Sequence, residues 1–142
     1  MQLLAAALLA CGCVSLAEVA DWPPAEDFVS GMSCNQRSSP QTCEHVRAVW
    51  DETYANAITG QYESQRTVAL CLSTGCDDGI VEDRVLGCAW RYVVVASGNP
   101  KLNHGDRIDL DTFCGPKRLD DSGRLAAQAK AKTWLTLLGV TH

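Results

Sequence analysis

Residues 71–98, CLSTGCDDGIVEDRVLGCAWRYVVVASG, decide between two architectures. The stretch carries three cysteines, a Gly-Cys-Asp-Asp-Gly turn and a nearly unbroken apolar run from Val85 to Ala96, where Arg91 is the sole charge. Tyr92-Val93-Val94-Val95 favours a strand, because β-branched and aromatic side chains suit a pleated surface. The length of the run, Asp83 as a cap at its start and Gly98 as a stop favour a buried helix. The helix is the preferred reading; a strand at 89–96 in an α+β domain is the alternative. Ahead of the run, Asp77-Asp78-Gly79 supplies the left-handed and turn conformations that most residues resist.

Working outward, the flanking segments read as helices. Ser39 can cap a helix that opens with Pro40, a position where a missing N–H needs no partner. Cys43, Val46, Trp50, Tyr54, Ala57 and Ile58 then recur at helical spacing, and Gly60 can end the element. A second helix, 61–73, sets Tyr62, Ala69 and Leu72 on one side and stops at Gly75. So short a joint between two helices favours an antiparallel pair. Downstream, Asn99-Pro100 breaks the run, a short helix covers 106–114, and Gly115-Pro116 breaks it again. The last helix has Asp121 or Ser122 as its cap. Ala127, Ala131, Trp134, Leu135 and Leu138 line one face, and Gly139 is its stop. Upstream, 25–32 reads as a short helix and 35–41 as irregular. Trp50, Trp90 and Trp134 stand in three successive apolar helices, roughly 40 residues apart, a separation within the repeat lengths of helical solenoids.

The sequence opens MQLLAAALLACGCVSLAEVADW. Leu3 to Leu16 is too short to span a bilayer as a helix, and Ser15-Leu16-Ala17 offers the small residues that a signal peptidase reads. The expected organisation is a signal peptide at 1–17, an N-terminal extension at 18–40 and a helical domain at 41–142, in a periplasmic or secreted protein. Leu8-Leu9-Ala10-Cys11 supplies the rival reading, lipid attachment at Cys11. The formal charge of −5 argues against non-specific binding of nucleic acid or anionic membrane. Cys11 and Cys13 would leave with the signal, so that Cys34, Cys43, Cys71, Cys76, Cys88 and Cys114 remain. An even set in an exported protein reads as a disulfide framework. The local set pairs Cys34 with Cys43, Cys71 with Cys76 and Cys88 with Cys114. A rival set pairs Cys71 with Cys88, and sequence alone leaves the pairing open.

Gly79-Ile80-Val81-Glu82-Asp83, Gly87-Cys88-Ala89-Trp90 and Ala96-Ser97-Gly98 follow one another as loop, helix and stop. In this order, and with Leu119 to Arg124 leading into Ala127 and Ala131, the sequence from Val68 to Ala129 resembles a Sel1-like repeat. That family is related to the tetratricopeptide repeat, and the form here is cysteine-rich and of the exported bacterial type. The extra cysteines, the Val triplet and Gly87 in place of a typical Ala depart from its pattern. The resemblance implies an all-α scaffold, a short array of antiparallel helical hairpins for protein–protein contacts, with no shared catalytic site.

Candidate chemistry is sparse. Cys71-x4-Cys76 lacks the Cys-x-x-Cys spacing of a redox motif, and no second ligand pair for zinc lies nearby. His45, His104 and His142 are the only histidines. Their default is a satisfied surface position, and the even cysteine count leaves no free thiol for a Cys–His pair. Glu44, Asp51, Glu52 and Glu63 could supply a carboxylate pair for glycoside hydrolysis, but a solvated acidic face is the plainer reading. Asp106, Asp109 and Asp111 lack the order and distal Glu of a calcium loop. Trp90 and Arg91 are candidates for a recognition surface, since Trp and Arg often anchor interfaces. The expectation is therefore a disulfide-stapled, non-catalytic binding or adaptor module with a protein partner, and no cofactor, metal or nucleic acid. Membrane attachment enters only through Cys11. An inhibitor or effector of a cell-envelope enzyme and a small carboxylate-dependent hydrolase are the alternatives.

Overall fold

In this computed structural model, which describes residues 22–140, five α-helices succeed one another. They are α1 (Pro40–Ile58), α2 (Tyr62–Thr74), α3 (Arg84–Ala96), α4 (His104–Phe113) and α5 (Asp121–Leu137). The contested apolar run is α3, and Asp83 caps it by accepting from the Leu86 N–H at 2.9 Å. The strand alternative at 89–96 is thereby corrected. Helix geometry buries Trp90, Val93 and Val94 together, and this burial overrides the strand preference of the Val triplet. The fold is all-α, a short array of antiparallel hairpins, and an isolated bridge between Val29 and Ile80 is its β pairing among the described residues. The expected signal peptide at 1–17, with Cys11 and Cys13, and His142 lie outside the described residues.

Three helix boundaries move from where the pattern put them. The segment at 25–32 is a 3-10 turn only at Ala25–Phe28. Beyond it the backbone pairs with the turn before α3, Ser30 N–H to Gly79 O at 3.1 Å and Val81 N–H to Phe28 O at 2.7 Å, so no helical ladder continues. Asn103 and Asp106 form a reciprocal capping box, so that α4 starts at His104 rather than at Asp106. Asp120, one residue ahead of the expected caps, accepts from Gly123 N–H at 2.7 Å to open α5.

α3 is the hub, packed against α2, α4 and α5. Its Trp90 is fully buried and lies 4.8 Å from Trp134 of α5, 6.5 Å from Tyr54 of α1 and 5.5 Å from Trp22, by ring centroids. The N-terminal segment is fastened across α1, where Tyr54 donates to Pro23 O at 2.7 Å and Trp50 to Ala25 O at 2.9 Å. Gly87 explains one departure from the Sel1-like pattern. A Cβ there would stand 2.4 Å from Ser73 Oγ and 3.0 Å from Ser73 N, so only glycine admits this approach of α2 and α3.

The local cysteine set is the one formed: Cys34–Cys43, Cys71–Cys76 and Cys88–Cys114. Cys34–Cys43 ties the N-terminal segment to α1, and Cys88–Cys114 ties α3 to the end of α4. Cys71–Cys76 closes the turn after α2, where Gly75, Cys76, Asp77 and Asp78 have φ of 80°, 45°, 57° and 62°. Such left-handed residues cost roughly 1–2 kcal/mol each unless they are glycine, with Asp among the more tolerant. Besides the disulfide, Arg37 holds Asp78 at 2.9 Å, and Arg47 donates to Gly79 O at 3.4 Å and to Met32 O.

Candidate functional site

Adjacent residues of α3 serve two different environments. Trp90 goes to the aromatic core and is 0% exposed, so it supports the surface from beneath rather than forming it. Arg91 is 3% exposed and sits between α2 and α4. Its Nη1 donates to Asp109 Oδ2 at 3.2 Å, and its guanidinium lies 5.0 Å from the centre of the Phe113 ring. Burial lowers its pKa, Arg66 adds to that effect, and Asp109 and Asp106 oppose it.

Beside it stands a second buried charge. Asp106 Oδ2 accepts from the Tyr62 hydroxyl and from Asn103 N–H at 3.0 Å, while Oδ1 faces Arg66 Nε at 2.9 Å. Burial pushes the Asp106 carboxyl up, but Tyr62, Asn103, Arg66 and Arg91 together outweigh it and hold the group below its ordinary value. The Tyr62 hydroxyl is pushed up to about 12, first by burial and then by Asp106. The joint α2–α3–α4 is thus an ionic seam, Arg66–Asp106 at one end and Arg91–Asp109 at the other. A cavity of about 340 Å³ opens onto it, lined by Glu63, Arg66, Thr67, Leu70, Arg91, Asp109 and Phe113.

A larger opening lies along α3 and α5. α2, α4 and α5 surround α3 but leave the strip bearing Tyr92 and Ala96 only half-covered, and a groove of about 550 Å³ runs there against Ala131, Leu135 and Val140. Its polar edge is Gln128, Lys132 and Thr136. Gln128 donates to the Tyr92 hydroxyl at 3.0 Å and spans the two helices. Small residues at 96 and 131 keep the floor low, so a backbone can come close.

The other candidate residues fall apart spatially. All six described cysteines are in disulfides, which leaves none of them as thiolate nucleophile or metal ligand. Glu44, Asp51 and Glu52 are exposed on α1, while Glu63 is exposed on α2 and paired with Arg66 at 3.4 Å and Lys101 at 3.7 Å. Asp106, Asp109 and Asp111 separate: the first faces Tyr62, the second Arg91, and the third solvent. No group of three His, Cys, Asp or Glu lies together among the described residues. His45 and His104 are exposed.

Sequence reasoning singles out Arg91 but misses the groove and the seam. Asn103-x-x-Asp106 before an amphipathic stretch is the available signal for a buried Asp106, through its capping-box spacing. Nothing local announces Tyr92 and Ala96 as a half-covered strip, because their exposure depends on the reach of α4. No family model, curated protein or solved structure matches this protein. Function therefore rests on the geometry. Among the described residues no helix is long and apolar enough to cross a membrane.

Proposed function

We propose that this protein is an exported, non-catalytic binding module whose α3–α5 groove docks an apolar-faced helix of a protein partner. The observation that carries the reading is the half-covered strip on α3. The other sides of that helix are packed against α2, α4, α5 and the aromatic core, and the groove is the larger and more apolar of the two openings described beside it. Ala96 and Ala131 allow close backbone approach, Leu135 and Val140 offer apolar contact, and Lys132 at the edge suits a partner with an acidic flank. Three disulfides favour an oxidising compartment, in line with a leader at 1–17 and a periplasmic or secreted protein. The Sel1-like resemblance supports the same assignment, since such arrays are scaffolds for protein contacts.

The test uses a partner purified after cross-linking in the exported fraction. Thr136→Trp fills the groove from its exposed edge and should weaken that partner at least tenfold, with the circular dichroism spectrum unchanged. Equal affinity of the wild type and Thr136→Trp would remove the groove from the account. Turnover of a cell-wall polymer that Glu52→Gln abolishes would replace the binding module with a hydrolase.

A further inference from the structure

The arginine cavity between α2, α3 and α4 has a chemistry that the α3–α5 groove lacks. Arg91 is buried, yet its hydrogen bonding is incomplete. Nη1 is spent on Asp109, whereas Nε is buried and has no acceptor. A buried donor left without a partner keeps its full desolvation penalty until an acceptor arrives. Nε and Nη2 form the side-on edge of a guanidinium, two parallel N–H groups matched to the two oxygens of a carboxylate. Phe113 covers the face of the group at 5.0 Å and, with Arg91, lines the cavity beside it.

The cavity suits such a guest. Its volume of about 340 Å³ takes a carboxylate and the methylenes behind it, and Leu70 and Phe113 give those methylenes an apolar wall. Arg66 stands at the same cavity and destabilises the charge on Arg91, a repulsion that an anion between them would relieve. The acidic groups present are already engaged. Asp109 holds Nη1, Glu63 is drawn to Arg66 and Lys101, and Asp106 is closed off by Tyr62, Asn103 and Arg66.

We infer that this cavity is a carboxylate-recognition site, in which the Nε–Nη2 edge of Arg91 takes a carboxylate of the docked partner as a bidentate pair. The inference rests on reading the protein as a partner-binding module, and it names what the partner must present: an Asp or Glu side group, or the terminal carboxylate of its polypeptide. It is tested without the partner. The isotope-labelled, disulfide-bonded protein is titrated with N-acetylglutamic acid α-amide, with N-acetylalanine and with the neutral N-acetylalaninamide, and the Arg91 Nε–H signal is followed by NMR. A saturable shift with one or both carboxylates and none with the neutral amide is expected. The stronger of the two identifies an acidic residue or a polypeptide terminus as the source.

Leu70, 43% exposed at the rim, provides the variant that keeps the core intact. Leu70→Trp should fill the cavity and abolish the shift, with signals elsewhere unmoved. No saturable shift in the wild type, an equal shift with the neutral amide, or a shift that persists in Leu70→Trp would each overturn the site. Those failures leave the α3–α5 groove standing, whereas loss of the groove with the titration intact would condemn the docking model alone.

Discussion

Removing the disulfides pair by pair should destabilise the protein in the order of the loops they close. The bridges span 26 residues for Cys88–Cys114, 9 for Cys34–Cys43 and 5 for Cys71–Cys76. Chain-entropy arithmetic gives losses of about 3.5, 2.6 and 2.1 kcal/mol at 25 °C for the three Cys→Ala pairs. Two structural facts widen the spread. Cys88 and Cys114 are both in the core, as are Cys34 and Cys43, whereas Cys76 is only half-buried, so alanine at the two longer bridges forfeits more packing than at the shortest. Cys76 holds a left-handed turn, and cutting its bridge lets residues 76–78 relax, which offsets part of the loss. The assay is urea unfolding followed by the fluorescence of the buried tryptophans. With a slope of about 1.5 kcal/mol per molar urea, the midpoints should fall by about 2.3, 1.7 and 1.4 M. A Cys71→Ala/Cys76→Ala variant that loses as much as Cys88→Ala/Cys114→Ala would refute the reasoning, because it would make the turn rather than the α3–α4 tie the main staple.

Two further substitutions test the packing. Asp106→Asn should cost about 3 kcal/mol or more near neutral pH, because it leaves Arg66 facing an uncharged group and weakens the bonds from Tyr62 and Asn103. The carboxyl is held below its unfolded value of about 3.9, so its contribution is complete above that pH and fades as pH falls through the folded value. Stability measured from pH 6 down to about pH 2 should therefore fall less steeply in Asp106→Asn than in the wild type; parallel curves would count against the seam. Gly87→Ala gains about 1 kcal/mol of helix propensity. It must also move the backbone of Ser73 away from 3.0 Å, an overpacking cost of about 1–3 kcal/mol, so a net loss of stability by thermal unfolding is expected and a gain would contradict the α2–α3 contact.

Much of the helical frame is legible in the sequence because its signals are local. Asp83, Gly75 and Pro40 act within a few residues, and each occupies the end of the helix it marks. The Val triplet misleads on its own, since strand propensity is outweighed once α3 lies among three other helices. The helix expected after Phe28 does not form because the backbone partners there, Gly79 and Val81, lie some fifty residues away in sequence and leave no periodic trace. Trp90 and Arg91 are neighbours in sequence but not in environment. One step along a helix turns a side chain by about 100°, which sends the first into the core and the second to the seam. The groove is illegible for a related reason: Tyr92 and Ala96 are ordinary apolar helix residues, and only the placement of α4 and α5 leaves them half-covered.

Site-specific photo-cross-linking tests the central claim most directly. A photoreactive residue is placed at Thr136, on the edge of the groove, and in a second preparation at Glu52, exposed on α1. Docking in the α3–α5 groove gives a partner adduct from position 136, lost when Ala96→Glu puts a charge on the groove floor, and none from position 52. An adduct from position 52 with none from 136, or equal adducts from both, would contradict it.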